Sequence, residues 1–260
     1  MMITERIQTL IHKIELDTGA RKLNYIALTL AVIALAVWYD THCYRNFSSP
    51  EAMDLSQVAR NISEGKGYTT EFVRPFSIYL LQNHNRAVAS QSGDTNLTDY
   101  ACVYSPHPDL ANAPVYPFLL AGVFKLTSPD WNVNYRDPFW SNSGHFIRYK
   151  PEFLIAVFNQ FLLLGAVLLA FRVAKIIFDG AAAWLIAILM LGSDLLWKYS
   201  ISGLPTMLLL IIFLGLVWCL VSFEVQGQQE NPNQRRRFML AVSAGVLVGL
   251  GMLTRYSFGW

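Results

Sequence analysis

Apolar residues fall in long charge-free runs separated by short polar links, and the runs have the length of membrane helices. A bilayer core about 30 Å thick takes roughly 20 apolar residues in helical form. Residues 23–39 run 17 positions without a charge, 153–171 run 19, 199–223 run 25, and 238–254 run 17 between two arginines. A further run, 181–197, is interrupted only by Asp194 near its end. The stretch 115–124 is different: ten apolar residues broken by Pro117 and followed by Lys125, reaching only about 15 Å as a helix. It reads as a helix in the membrane interface, over about 115–126, with a short tilted span as the alternative.

Positive charge orients these runs. With five spans and the N-terminus inside, the cytoplasmic segments are 1–22 (Arg6, Lys13, Arg21, Lys22), 172–180 (Arg172, Lys175) and 224–237 (Arg235, Arg236, Arg237). The short external loop 198–203 holds only Lys198. Every short loop then obeys the positive-inside rule, whereas letting 115–124 cross would put the arginine triplet outside. Segment 1–22 is amphipathic, with Ile3, Ile7, Leu10, Ile11 and Ile14 on one face, and fits either an interfacial helix or packing on the protein's own loops. It contains acids, and Trp38-Tyr39-Asp40 offers no small-residue cleavage site, so the first span is not read as a signal peptide.

Composition agrees. Of 260 residues, 53% are hydrophobic and 15% charged, with a mean hydropathy of +0.33. That excludes a disordered chain and argues against a soluble enzyme. A net charge of +2 gives no footing for nucleic acid. The expected fold class is an all-α polytopic membrane protein, at home in a plasma or inner membrane.

Polar chemistry concentrates in loop 40–152, external in this topology, meaning periplasmic or lumenal. It holds eleven of the eighteen acids and four of the five histidines. Its first element is a helix over about 51–64. Met53, Leu55, Val58, Ala59 and Ile62 form its apolar face, with Pro50 at the start and Gly65 at the C-terminal cap. Glu51 and Asp54 then share a face at i and i+3. They are either a functional pair or acids complementing the helix dipole. His107 and Asp109 suit proton sharing or a metal, or simple turn chemistry at Pro108-Asp109. Arg74, among apolar residues, suits a phosphate or a salt bridge with a loop carboxylate. Cys43 and Cys102 are candidates for a disulfide in an oxidising exterior. N-x-S/T sequons begin at Asn46, Asn61 and Asn96.

The order of these segments carries a resemblance. An acid-bearing helix ends in Gly65-Lys66-Gly67-Tyr68, followed by Ala113-Pro114-Val115-Tyr116-Pro117-Phe118 and then a span closing on Phe178-Asp179-Gly180. Next come Tyr199-Ser200-Ile201-Ser202-Gly203-Leu204-Pro205-Thr206 and Leu253-Thr254-Arg255-Tyr256. This resembles the N-terminal part of GT-C superfamily membrane glycosyltransferases, in the branch of protein mannosyltransferases and lipid A aminoarabinose transferases. The resemblance implies transfer of a sugar from a polyprenyl-phosphate donor to an acceptor of unknown kind on the external face. It places the catalytic base in the first external loop, at Asp54 with Glu51 second. Arg74 and Arg255 become candidates to stabilise the phosphate leaving group, with His107, Asp109 and Asp194 as further substrate-binding candidates. No cofactor is expected, and a divalent metal stays open. Relatives often carry a second acid in the loop matching 202–206, where this chain has Pro205 and Thr206, and Asp194 is the nearby substitute. Such enzymes have about seven core spans, so a chain with five reads as a truncated module. The alternative function is a non-catalytic membrane subunit or degenerate relative that binds lipid or a partner.

Overall fold

The computed structural model describes residues 17–72, 78–79, 82–83, 86, 107–132, 148–229 and 233–259, with backbone alone for 17–25. Arg74, Asn96 and Cys102 lie outside the described residues. Two compact units result, Met1–Tyr44 and Arg45–Trp260.

The first unit is helix α1, Asp17–Trp38, continued by one π-helical turn, Tyr39–Cys43. Tyr44 N donates to Tyr39 O at 2.9 Å, which closes the wide turn. The His42 ring stacks on Trp38 at 3.8 Å. Ile26, Leu30, Ile33 and Val37 are exposed, as suits side chains that meet lipid rather than water. Cys43 is a free thiol.

The second unit begins with α2, Pro50–Ser63. Pro50 fits the first turn because its missing N–H has no helical partner there. The helix ends where Gly65 N donates to Ile62 O (3.1 Å) and Lys66 N to Asn61 O (2.8 Å). Gly65 supplies the left-handed φ of +77° that this paired closure needs. Two short strands follow, β1 (Thr69–Thr70) and β2 (His107–Pro108), paired antiparallel with Thr70 opposite His107. Helix α3, Val115–Thr127, packs on α2. At 13 residues it is too short to cross a bilayer.

The remaining helices are α4 (Lys150–Ile177), α5 (Gly180–Leu191), α6 (Asp194–Ser200), α7 (Thr206–Gly227) and α8 (Gln234–Thr254). Among the described residues four helices are long and apolar enough to span: α1 with its π turn, α4, α7 and α8. The bent pair α5–α6 makes a fifth if counted as one. The chain is an all-α polytopic membrane protein. Helix α7 packs against both α4 and α8, and small residues set the spacing. A Cβ on Gly165 would meet Ile211 at 3.1 Å, and one on Gly215 would meet Leu247 at 3.4 Å. Phe161, Leu168, Phe213, Leu220 and Val246 face outward, where lipid takes the place of a core.

Two expected spans differ in outline. The run 181–197 is bent by 58° between α5 and α6, at Gly192 and Ser193. Asp194 opens α6 there, and Trp197 Nε1 donates back to Leu191 O at 2.7 Å, holding the bend. Of the run 199–223, Tyr199 and Ser200 finish α6 and the helix resumes only at Thr206, because Gly203 adopts φ +77° and Pro205 suits the first turn.

A buried polar pin joins α3, α4 and the α6–α7 turn. The Tyr116 hydroxyl accepts from Asn159 Nδ2 (2.9 Å) and donates to Gly203 O (3.1 Å). Tyr116→Phe is expected to cost about 1–3 kcal/mol, because Asn159 and Gly203 O lose a partner away from water. Thermal unfolding in detergent measures it, and an unchanged midpoint would mean the pin is energetically idle.

Candidate active site

Helix α2 carries its two candidate acids into different surroundings. Glu51 is exposed in the first turn, whereas Asp54 is only 1% exposed. Ala52, Leu55, Val58 and Ala59 draw the inner face of α2 against α3, and Asp54 goes inward with them. Burying a carboxylate requires hydrogen-bond donors. Thr70 Oγ1, from β1, donates to Oδ1 at 2.5 Å, and Asn112 Nδ2 donates to Oδ2 at 2.7 Å.

The two-stranded ribbon makes this arrangement. Asp109 N donates to Tyr68 O at 3.1 Å, extending the pairing beyond β2 and bringing 109–112 to the buried side of α2. Asp109 is itself buried and organises a turn, its Oδ1 accepting from Ala111 N (2.9 Å) and Asn112 N (3.3 Å). Its Oδ2 accepts from Asn112 Nδ2 at 2.7 Å. One amide NH2 group thus bridges two buried carboxylates. The Asn112 carbonyl accepts from the Tyr68 hydroxyl at 2.8 Å and from the Tyr256 hydroxyl at 3.3 Å. Burial first, then the charge of Asp109, holds the Tyr68 phenol well above its ordinary pKa, so it stays a donor.

Asp54 also lies on the wall of a pocket of about 350 Å3. Arg60, Phe72, Trp131, Tyr149 and Glu152 line the same pocket. The Arg60 guanidinium sits over the Trp131 ring at 4.8 Å and gives its Nε to Glu64 at 2.9 Å. Lys66 pairs with the same carboxylate at 2.6 Å, and these two cations hold Glu64 below the ordinary carboxylate range. Tyr149 OH donates to Trp131 O at 3.3 Å, and Glu152 Oε2 accepts from Phe47 N at 2.7 Å. An anion, a cation and aromatic faces thus line one concavity, the mix of polar and apolar groups that orients a small ligand.

The other expected site residues are dispersed. The His107 ring nitrogens are buried without a hydrogen-bond partner, and His107 and Asp109 share no hydrogen bond. Arg255 is exposed just beyond α8, one residue before the Tyr256 that reaches Asn112. Asp194 is exposed and paired with Lys198 at 2.6 Å. Among the described residues no three His, Cys, Asp or Glu side chains gather as metal ligands. The sequon residue Asn61 is buried, its Nδ2 donating to Thr69 O at 2.9 Å, so it is closed to modification in the folded chain.

Sequence reasoning missed Thr70, Asn112, Arg60 and Trp131. Arg60 had a legible signal, since it follows Met53 and Gln57 at helical spacing on the pocket side of α2. Asn112 had none, because its contact with Asp54 spans 58 positions.

Residues 98–259 match the family model described as dolichyl-phosphate-mannose-protein mannosyltransferase, well over half of the chain. The matched stretch includes Asp109, Asn112, α3 and every helix from α4 to α8, while Glu51 and Asp54 lie before it. No curated protein and no solved structure matches the chain.

Proposed function

The chain belongs to the dolichyl-phosphate-mannose-protein mannosyltransferase family, and from that premise we propose that it transfers a sugar from a polyprenyl-phosphate carrier to an acceptor hydroxyl. It is a multi-pass membrane glycosyltransferase of the GT-C type. Mannose, named in the family's title, is the sugar to test first.

The observation that carries the reading is Asp54, a buried carboxylate at the wall of a pocket, gripped by Thr70 and Asn112. In the proposed step Asp54 accepts the proton of the acceptor hydroxyl. The acceptor oxygen forms its bond to the anomeric carbon as the bond from that carbon to the phosphate oxygen breaks. The electron pair leaves with the lipid phosphate, which needs charge stabilisation rather than protonation. Thr70 and Asn112 fill two of the roughly four acceptor positions of the carboxylate and fix its direction. Arg255, next to Tyr256 at the end of α8, and Arg74 are the cations proposed for the phosphate.

The pocket end of the bundle is proposed to face the exterior. The start of α4, the α6–α7 turn and the end of α8 all meet the α2–α3 region there, through Glu152, Gly203 and Tyr256. Arg172, Lys175 and the Arg235–Arg237 triplet belong to the opposite helix ends, the pattern expected of a cytoplasmic side.

The test supplies labelled polyprenyl-phosphate mannose to membranes holding the full-length protein. Lipid phosphate release should accompany the appearance of label in a protein, lipid or glycan fraction. Folded protein that binds this donor yet releases no lipid phosphate would overturn the reading and favour a binding subunit.

A further inference from the structure

We propose that Asn112 is the positioning residue of Asp54, acting as a donor wedge that keeps two buried carboxylates apart and aims one of them at the pocket. This rests on the reading of Asp54 as the base.

Asp54 and Asp109 are both more than nine-tenths buried, and both accept from the same nitrogen at 2.7 Å. Their oxygens therefore lie within the reach of a single NH2 group. Two like charges that close in a poorly solvated place repel strongly, and a hydrogen-bond donor between them is the direct remedy. The amide has one arrangement that works, since the reverse would turn its oxygen toward both carboxylates.

The rest of Asn112 is held from other elements. Its backbone N–H is bound by Asp109 Oδ1, and its carbonyl accepts from Tyr68 and Tyr256. Tyr68 lies between α2 and β1, and Tyr256 follows α8, so the wedge is fastened to both the loop and the last helix of the bundle. Asp109 serves the wedge through both of its oxygens. Its Oδ1 shapes the turn that presents Asn112, while its Oδ2 takes the second amide hydrogen. With the wedge removed, Asp54 keeps Thr70 on Oδ1 and loses the donor that stands between its Oδ2 and Asp109.

The experiment uses the full-length protein in its membranes, with polyprenyl-phosphate mannose as donor. Asn112→Ala should lower kcat about 10- to 100-fold, with KM for the donor within about twofold, because orientation rather than binding is lost. Adding Asp109→Asn to that variant should recover about tenfold or more, and should also raise the unfolding midpoint that Asn112→Ala lowers. A merely structural asparagine gives no such rescue, since a second core substitution would only add damage. An unchanged kcat in Asn112→Ala, or no recovery in the double variant, overturns the proposal. If Asn112→Ala fails to accumulate, the double variant should accumulate, and its failure to do so counts equally against it. Asp54→Asn run in parallel separates the two readings. Transfer persisting in Asp54→Asn overturns the assigned base, while rescue of the unfolding midpoint still reports on the wedge by itself.

Discussion

Asp54→Asn lowers transfer by about 100- to 10,000-fold if this carboxylate takes the acceptor proton. The substitution keeps size and shape and removes the charge and the proton-accepting oxygen. It also has a structural cost. The new amide has one acceptor oxygen for the two donors, Thr70 Oγ1 and Asn112 Nδ2, so one contact becomes donor against donor. A buried group left without its partner costs about 1–3 kcal/mol. The unfolding midpoint must therefore be measured beside the rate, and the rate compared at a temperature where both proteins are folded. Glu51→Gln is the matched control, because Glu51 lies one turn earlier and is exposed. It should change transfer little. A dead Glu51→Gln beside an active, merely destabilised Asp54→Asn would move the base to Glu51 and leave Asp54 a scaffold residue.

Gly203→Ala is expected to be the most damaging small substitution for stability. Gly203 holds φ +77°, where an L side chain costs about 1–2 kcal/mol. Its position also has no room, since an added Cβ runs into the ring of Phe47, a residue itself buried. Overpacking of this kind typically costs a further 1–3 kcal/mol, roughly. The Gly203 carbonyl is the acceptor of Tyr116, and Phe47 N is bound by Glu152, so neither neighbour can shift freely. Gly65→Ala separates the two causes: Gly65 has the same φ of +77° but nothing within 4 Å of the added atom. Unfolding in detergent should show Gly65→Ala losing only the backbone part and Gly203→Ala about twice that or more. Equal losses would mean that the Phe47 ring yields at little cost.

The sequence by itself determined the membrane character and most of the helices. Charge-free runs of this length must span or be buried, whatever they pack against, so α4, α7 and α8 are legible as runs without knowing a single contact. For α2 the sequence offers local marks, Pro50 and Gly65, and an expected range of about 51–64, beside Pro50–Ser63 in the structure. Length and charge bias gave a short helix over about 115–126, where the structure has Val115–Thr127. The family was legible from the order of short motifs, and the match over 98–259 bears that out.

Only the tertiary structure decided which acid of α2 is buried and what it meets. Glu51 and Asp54 share a helical turn and a chemistry, and periodicity cannot say which of them goes inward. That was decided by the packing of α2 on α3 and by a ribbon that brings Thr70 and Asn112 to one carboxylate and not the other. The surroundings of Asp194 were equally closed to periodicity, since the bend at Gly192–Ser193 places it at the start of α6, exposed beside Lys198. Spans follow from local composition because the bilayer acts on each segment separately. A polar site is a set of partners distant in the chain, and their meeting is a property of the folded whole.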